Sequence, residues 1–297
     1  MLILVAAFGA PALAGTDSGQ IPSGWAVWSC WYWPYNDKPE LDPNLYDTYE
    51  AMWQYDHYDS GAQSQAWEKN NHGPYQGQPD WAGHCHAWSG AACWEPQPTT
   101  SRTLNGVEFW VRDLKGLLCE MYFNCANGTT YEIYEDQPTP GKFWQLLRNE
   151  IGGVNPINGQ AMAFIGELYY GDQIWNYPIY YYSVDYSGYP FSGTMTIHVA
   201  SDASPAYADS TKLYYKTYTY HFLGVYLDSS NEPTDSGTWT DTGSASRPET
   251  IWRPYYADTW TKYVANTGLD ALHLSNILTP PPPAKSLGGV LKLLLLN

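Results

Sequence analysis

The chain reads as an α+β protein, with helices in its first half and a mostly antiparallel sheet in its second. Three observations predict this. Between residues 42 and 151 apolar side chains recur at three- and four-residue spacing, the period of a helix. From residue 161 onward Tyr, Ile and Thr alternate in short runs separated by Gly, Asp and Ser turns. Helices that precede the strands, instead of alternating with them, give segregated layers.

Residues 1–14 form an apolar run closing on Ala12-Leu13-Ala14, a small-x-small cleavage pattern. They predict a secretory signal peptide without a basic flank, and residues 15–278 then read as a single domain. Residues 21–34 are dense in Trp, Tyr and turn formers. Asp42-Pro43 is a start signal for an amphipathic helix over 42–59. Trp67-Glu68-Lys69-Asn70-Asn71-His72-Gly73 predicts a short helix closed by its glycine.

Next comes Trp81-Ala82-Gly83-His84-Cys85-His86-Ala87-Trp88, where turn chemistry presents a cysteine. The small residues Ser89, Gly90, Ala91 and Ala92 then suit a closely packed helix, which Glu95-Pro96 ends. Residues 103–111 alternate as a strand, and Asp113 is placed to cap a helix reaching Tyr122. Pro140-Gly141 opens another helix over 142–151, stopped by Gly152-Gly153. Strands are expected at 163–170, 177–184, 194–200, 212–227 and 237–240. The acidic stretch 228–241 lacks the ligand spacing of a calcium loop and reads as a hairpin turn. Residues 279–297 are a Pro-rich linker and an apolar tail, interrupted by Lys292 and too short to span a membrane. Asn127-Gly128-Thr129 is a glycosylation sequon.

With 14 basic against 30 acidic residues the net charge is −16. That balance excludes the basic stripe a nucleic-acid partner needs, and it disfavours anionic membranes. Fifteen Trp and 27 Tyr supply buried area, and also flat surfaces for stacking on peptides or sugars. No cofactor and no metal are expected.

Cys85 is the best catalytic candidate. A thiol on the first turn of a helix sits where unpaired N–H groups and the dipole favour an anion. The thiolate is the nucleophile. Against this, a cysteine in an exported protein is commonly half of a disulfide. The count is five (Cys30, Cys85, Cys93, Cys119 and Cys125), so at least one thiol has no partner within the chain. If Cys85 stays free, the other four allow three pairings.

The motif from Trp67 to Gly73, the one from Trp81 to Trp88, and Glu95-Pro96 together resemble the transglutaminase elicitor family. So do Asn105-Gly106-Val107, Asp113-Leu114-Lys115-Gly116, Asn149-Glu150-Ile151-Gly152, Ile174-Trp175-Asn176-Tyr177-Pro178 and Trp252-Arg253-Pro254. The likeness runs in consistent order from Tyr32 to Pro254. It implies a papain-like thiol acyltransferase in which Cys85 attacks a glutamine carboxamide of a protein or peptide and an amine takes the acyl group. Such chemistry needs a base and a group to orient it. Two family histidines are replaced here, by Trp144 and Arg247, and neither can act as a base at neutral pH.

Adjacent side chains diverge at a helix start, so His84 and His86 are poor partners for Cys85, and His72 reads as a capping or packing residue. His198 and His221 follow the cysteine in strands, and His221 is the expected substitute base. Glu167, Asp228 and Glu249 are carboxylates able to orient it. Three functional readings stay open: a secreted transglutaminase-like enzyme, an inactive relative that binds peptide or glycan, and a cysteine protease or amidase.

Overall fold

The computed structural model describes residues 13–22, 27–36, 45–73, 79–126, 131–151, 163–242, 247–255 and 262–279. Residues 1–12, the Asn127 sequon and the tail beyond residue 279 lie outside them.

The order is helices first and sheet second, as the periodicities predict. Strand β1 (Ala14–Gln20) is followed by helices α1 (Ala51–Tyr58), α2 (Ser64–His72) and α3 (Cys85–Trp94). A hairpin of β2 (Arg102–Leu104) and β3 (Val107–Phe109) leads into α4 (Val111–Met121). Then come β4 (Tyr131–Asp136) and α5 (Pro140–Glu150), and after them β5 (Phe164–Tyr170), β6 (Gln173–Gly188), β7 (Phe191–Ala200) and β8 (Tyr215–Val225). Strands β9 (Thr238–Trp239) and β10 (Thr250–Pro254) precede helix α6 (Ala271–Leu278).

The sheet is antiparallel in the order β4-β10-β5-β6-β7-β8-β9. Strand β6 is its spine. Its first half pairs with β5, and its second half pairs with β1 over Tyr181–Ser187. The expected cleavage point after Ala14 therefore falls at the start of a paired strand.

Local chemistry accounts for several boundaries. The single strand expected over 103–111 is a hairpin, because Asn105 and Gly106 both take positive φ (51° and 81°), the demand of a tight two-residue turn. Asp113 does not cap α4 from outside. It lies one turn in, where its Oδ2 accepts the Trp110 backbone N–H at 2.8 Å. Thr139 caps α5 by accepting the Lys142 N–H at 3.1 Å. Asp228 accepts the N–H groups of Ser230 and Glu232, closing the expected turn before β9.

The buried side chains form one cluster between the helices and the sheet. Trp88 of α3 is its anchor: fully buried, it donates from Nε1 to the Trp28 carbonyl at 3.0 Å. Lys115 of α4 is also buried. Its Nζ donates to the carbonyls of Ser29 at 2.5 Å and Ser210 at 2.9 Å, joining two distant segments to one helix. No disulfide joins any of the five cysteines. The expected disulfide framework is not formed: Cys30 Sγ donates to the Trp31 carbonyl, and Cys125 Sγ to the His86 carbonyl. Burial pushes the Cys30, Cys93, Cys119 and Cys125 thiols up, which keeps them protonated. Among the described residues no helix is long and apolar enough to cross a membrane.

Candidate functional site

Cys85 is the first residue of α3, and the side chain of the preceding His84 does not cap that helix. The His86 backbone N–H at the start of α3 is directed at the thiol. The preceding loop is pinned by residues 32–35. His84 N–H donates to the Tyr32 carbonyl at 2.7 Å, Tyr35 N–H to the Ala82 carbonyl at 2.8 Å, and Gly83 bridges Pro34. A Cβ on Gly83 would meet the Trp33 carbonyl oxygen at 2.7 Å and that of Tyr32 at 2.8 Å. Gly83→Ala is accordingly expected to cost about 1–3 kcal/mol of stability, read as a lowered urea midpoint.

The partner of Cys85 comes from β6. Asn176 Nδ2 points at the Cys85 sulfur from 3.8 Å, while Asn176 Oδ1 accepts the Trp252 indole N–H at 2.9 Å. The Asn176 carbonyl accepts the Ser89 hydroxyl at 2.7 Å, which seats α3 on the strand. Glu167 of β5 lies directly opposite Asn176, so the two share a face of the sheet. Burial raises the Glu167 carboxyl above its usual range, with Glu249 and Asp136 adding to it. Burial pushes the partly exposed Cys85 thiol up as well. Asp202 adds to that, and together they outweigh the lowering by the Asn176 and His86 donors.

Aromatic rings flank this pair. Trp175 meets Tyr32 edge-on at 5.0 Å and Trp81 at 6.1 Å, and Tyr32 leans on Trp31 at 4.7 Å. Trp31, Tyr32 and Trp81 are half-buried. On the other side Lys216 Nζ lies 4.9, 5.6 and 4.5 Å from the ring centres of Tyr170, Trp175 and Tyr177. It is held there by Asp202 at 3.2 Å.

The seven histidines are all placed, and each is engaged away from Cys85. His57 meets the Trp53 carbonyl, His273 meets Asp59, and His198 stacks on Tyr181. His86 Nε2–H donates to the Phe123 carbonyl at 2.9 Å, and burial with the neighbouring His84 pushes its pKa down to about 4. His221, the expected base, does not reach Cys85. It pairs through Thr194 with Asp185, nine residues along β6 from Asn176 and so about 30 Å away. There it is exposed and bound to Asp241 at 2.9 Å. Of the carboxylates considered as orienting groups, Asp228 closes its own turn. Glu249 binds Gln137 and Tyr169, next along the sheet from Glu167. Trp144 also lies far from Cys85: its Nε1–H donates to Asp17, which pairs with Val184. Arg247 donates to Gln137.

His72 and His84 converge instead on Glu68 and Glu120. His72 Nδ1 lies 2.7 Å from Glu68 Oε1, and His84 Nε2 lies 3.1 Å from Glu68 Oε1 and 3.1 Å from Glu120 Oε1. Burial, reinforced by Glu68, raises the Glu120 carboxyl. The bonds from His72 and His84 hold Glu68 low against its own burial. Sequence reading missed both Asn176 and this cluster. The signal for Asn176 was its place inside the Trp175–Pro178 motif. The signal for the cluster was the four-residue spacing of Glu68 and His72 on one helix.

The transglutaminase elicitor family model matches residues 53–202, which include Cys85, Asn176 and the four clustered residues. The fold is similar to that in the crystal structure of the GP42 transglutaminase from Phytophthora sojae. The two are 19% identical, with a TM-score of 0.61, over 88% of this chain and 90% of that one. Among curated proteins none matches. With half of its length matched by the family model and its fold shared, the chain belongs to the transglutaminase elicitor family.

Proposed function

We propose that this chain is a secreted member of the family that holds protein or peptide segments against the aromatic wall beside Cys85 and does not turn them over. One observation carries this reading: none of the seven imidazoles bonds to Cys85, and each is committed elsewhere. A partly buried thiol without a base stays protonated at neutral pH, and the protonated form is a poor nucleophile. The half-buried Trp31, Tyr32 and Trp81 offer stacking area, and the amide of Asn176 offers a polar anchor, which is the composition of a peptide-binding surface. The apolar run before Ala14 supports export.

The alternative, acyl transfer by Cys85, is favoured by the His86 N–H at the start of α3 and by the Asn176 donor, both of which stabilise negative charge on sulfur or oxygen. In that case Glu167, opposite Asn176 in the sheet, is the candidate base in place of a histidine.

Two measurements on the folded protein separate the readings. Iodoacetamide labelling across a pH series, mapped by mass spectrometry, is expected to modify Cys85 with a midpoint above the free-thiol value of about 8.5. Incorporation of a fluorescent amine into a disordered, glutamine-bearing protein is expected to stay at the level of Cys85→Ser. Binding of that same protein should survive in Cys85→Ser and weaken roughly tenfold in Trp81→Ala. Amine incorporation that Cys85→Ser abolishes, or a labelling midpoint near neutrality, overturns the binding reading in favour of the enzyme.

A further inference from the structure

We propose that Glu68, His72, His84 and Glu120 form a zinc-class metal site that ties together the three helices around Cys85. Glu68 and His72 project from one face of α2, four residues apart. His84 immediately precedes α3, and Glu120 comes from the last turns of α4. One ligand atom from each residue lies within 4.8 Å of every other. Two imidazole nitrogens and two carboxylate oxygens suit a closed, four-coordinate zinc centre. Ligand atoms at zinc distance lie roughly 3.3 Å apart in a tetrahedron. The contacts of 2.7, 3.1 and 3.1 Å already seen need only small movements to reach that spacing.

Hydrogen bonding points the same way. His84 Nδ1 lies 2.9 Å from the Trp33 carbonyl, which fixes the proton on Nδ1 and leaves Nε2 facing the two carboxylates. A divalent cation between Nε2 and these oxygens takes the place of the Nε2 proton that Glu68 accepts, and converts the contacts into coordination. This backbone anchor on the far nitrogen is the outer-shell arrangement usual for metal-bound histidine. Glu68 Oε2 and both Glu120 carboxylate oxygens are buried and accept no hydrogen bond among the described residues. Glu120 Oε1 stands near His84 but outside hydrogen-bonding geometry. Unbonded carboxylate oxygens are costly to bury. Three such oxygens on two carboxylates whose ligand atoms cluster with two histidines distinguish this group from an ordinary ion pair. Phe123 stacks on His72 at 3.9 Å and meets His84 edge-on at 5.2 Å, holding both rings in place. The His72 side chain is 13% exposed, so ions have a route in from solvent.

The test uses the full chain without a histidine tag, stripped by a chelator and then dialysed against Zn2+. One zinc ion per chain is expected by elemental analysis, with a higher thermal midpoint in the loaded protein. Co2+ in its place is expected to give the strong visible bands of tetrahedral cobalt. His72→Ala removes a partly exposed ligand, and circular dichroism reports whether that variant folds. It is expected to weaken zinc binding at least about tenfold. Substoichiometric zinc on the wild type, an octahedral cobalt spectrum, or undiminished affinity in folded His72→Ala overturns the proposal. Should His72→Ala fail to fold, the cobalt spectrum of the wild type decides alone. The site does not depend on whether Cys85 is reactive.

Discussion

Trp88→Ala is expected to lower the stability of the fold by about 3–5 kcal/mol, the range for deleting a large buried aromatic. Trp88 is fully buried on the face of α3 that meets the sheet, with Tyr177 edge-on at 6.3 Å. Its indole N–H is the link to the Trp28 carbonyl. Removing it opens a cavity at the seam between helix and sheet and leaves a carbonyl without its donor, so transfer, cavity and hydrogen-bond losses combine. Urea unfolding followed by fluorescence measures the loss. Trp88→Phe keeps most of the volume and is expected to lose only about 1–3 kcal/mol. Equal losses in the two variants would show that packing is not what this residue contributes.

The second large effect concerns pH. Glu50, which precedes α1, is buried, and its Oε1 accepts no hydrogen bond. Burial first, and then the neighbouring Asp113, push its pKa up from 4.5 to about 8. The sign follows from the direction of the shift. Below the unfolded value both states carry the proton, and this contribution to stability is fully present. As pH rises from 4.5 to about 8 the unfolded chain releases the proton while the folded chain keeps it, so stability falls. Above that range the loss is complete. Glu50→Gln cannot ionise, so it should match the wild type near pH 4 and exceed it at pH 8 to 9 by roughly 3–5 kcal/mol. Unfolding curves at both pH values measure the gap. A gap that stays constant between the two pH values would mean that Glu50 ionises freely in the folded protein. Asp113, raised to about 7 by its own burial, is expected to leave a smaller pH dependence in Glu50→Gln.

Much of the architecture was legible because it is encoded locally. The α3 segment announces itself through Gly83, the run of small residues and Glu95-Pro96, and Cys85 falls at its first position as read. The strands β5 to β8 follow from alternation, with β6 extending beyond 177–184 to take in Asn176. The elements that escaped are short or depend on their neighbours. β1 is a polar, Gly-containing strand held by β6, while β10 is a five-residue strand between β4 and β5. Neither carries a period that could be seen in isolation. The helix expected over 42–59 forms only from Ala51, because residues 45–50 make turns and Tyr49 adopts φ 67°.

Residue chemistry and short-range spacing alone determined the α+β class, the position of the thiol at a helix start, the family resemblance and the acidic surface. Tertiary structure alone decided which groups meet that thiol. Asn176 reaches it from a strand far along the chain, with Trp252 and Glu167 beside Asn176, and His221, suggested by its place in the order of residues, is carried about 30 Å away by strand register. The same holds for the buried cluster. Four-residue spacing joins Glu68 to His72 on one helix, but only the packing of α2, α3 and α4 brings His84 and Glu120 to them. Periodicity fixes which face a side chain occupies, whereas a site requires several faces to converge, and convergence is set by long-range packing.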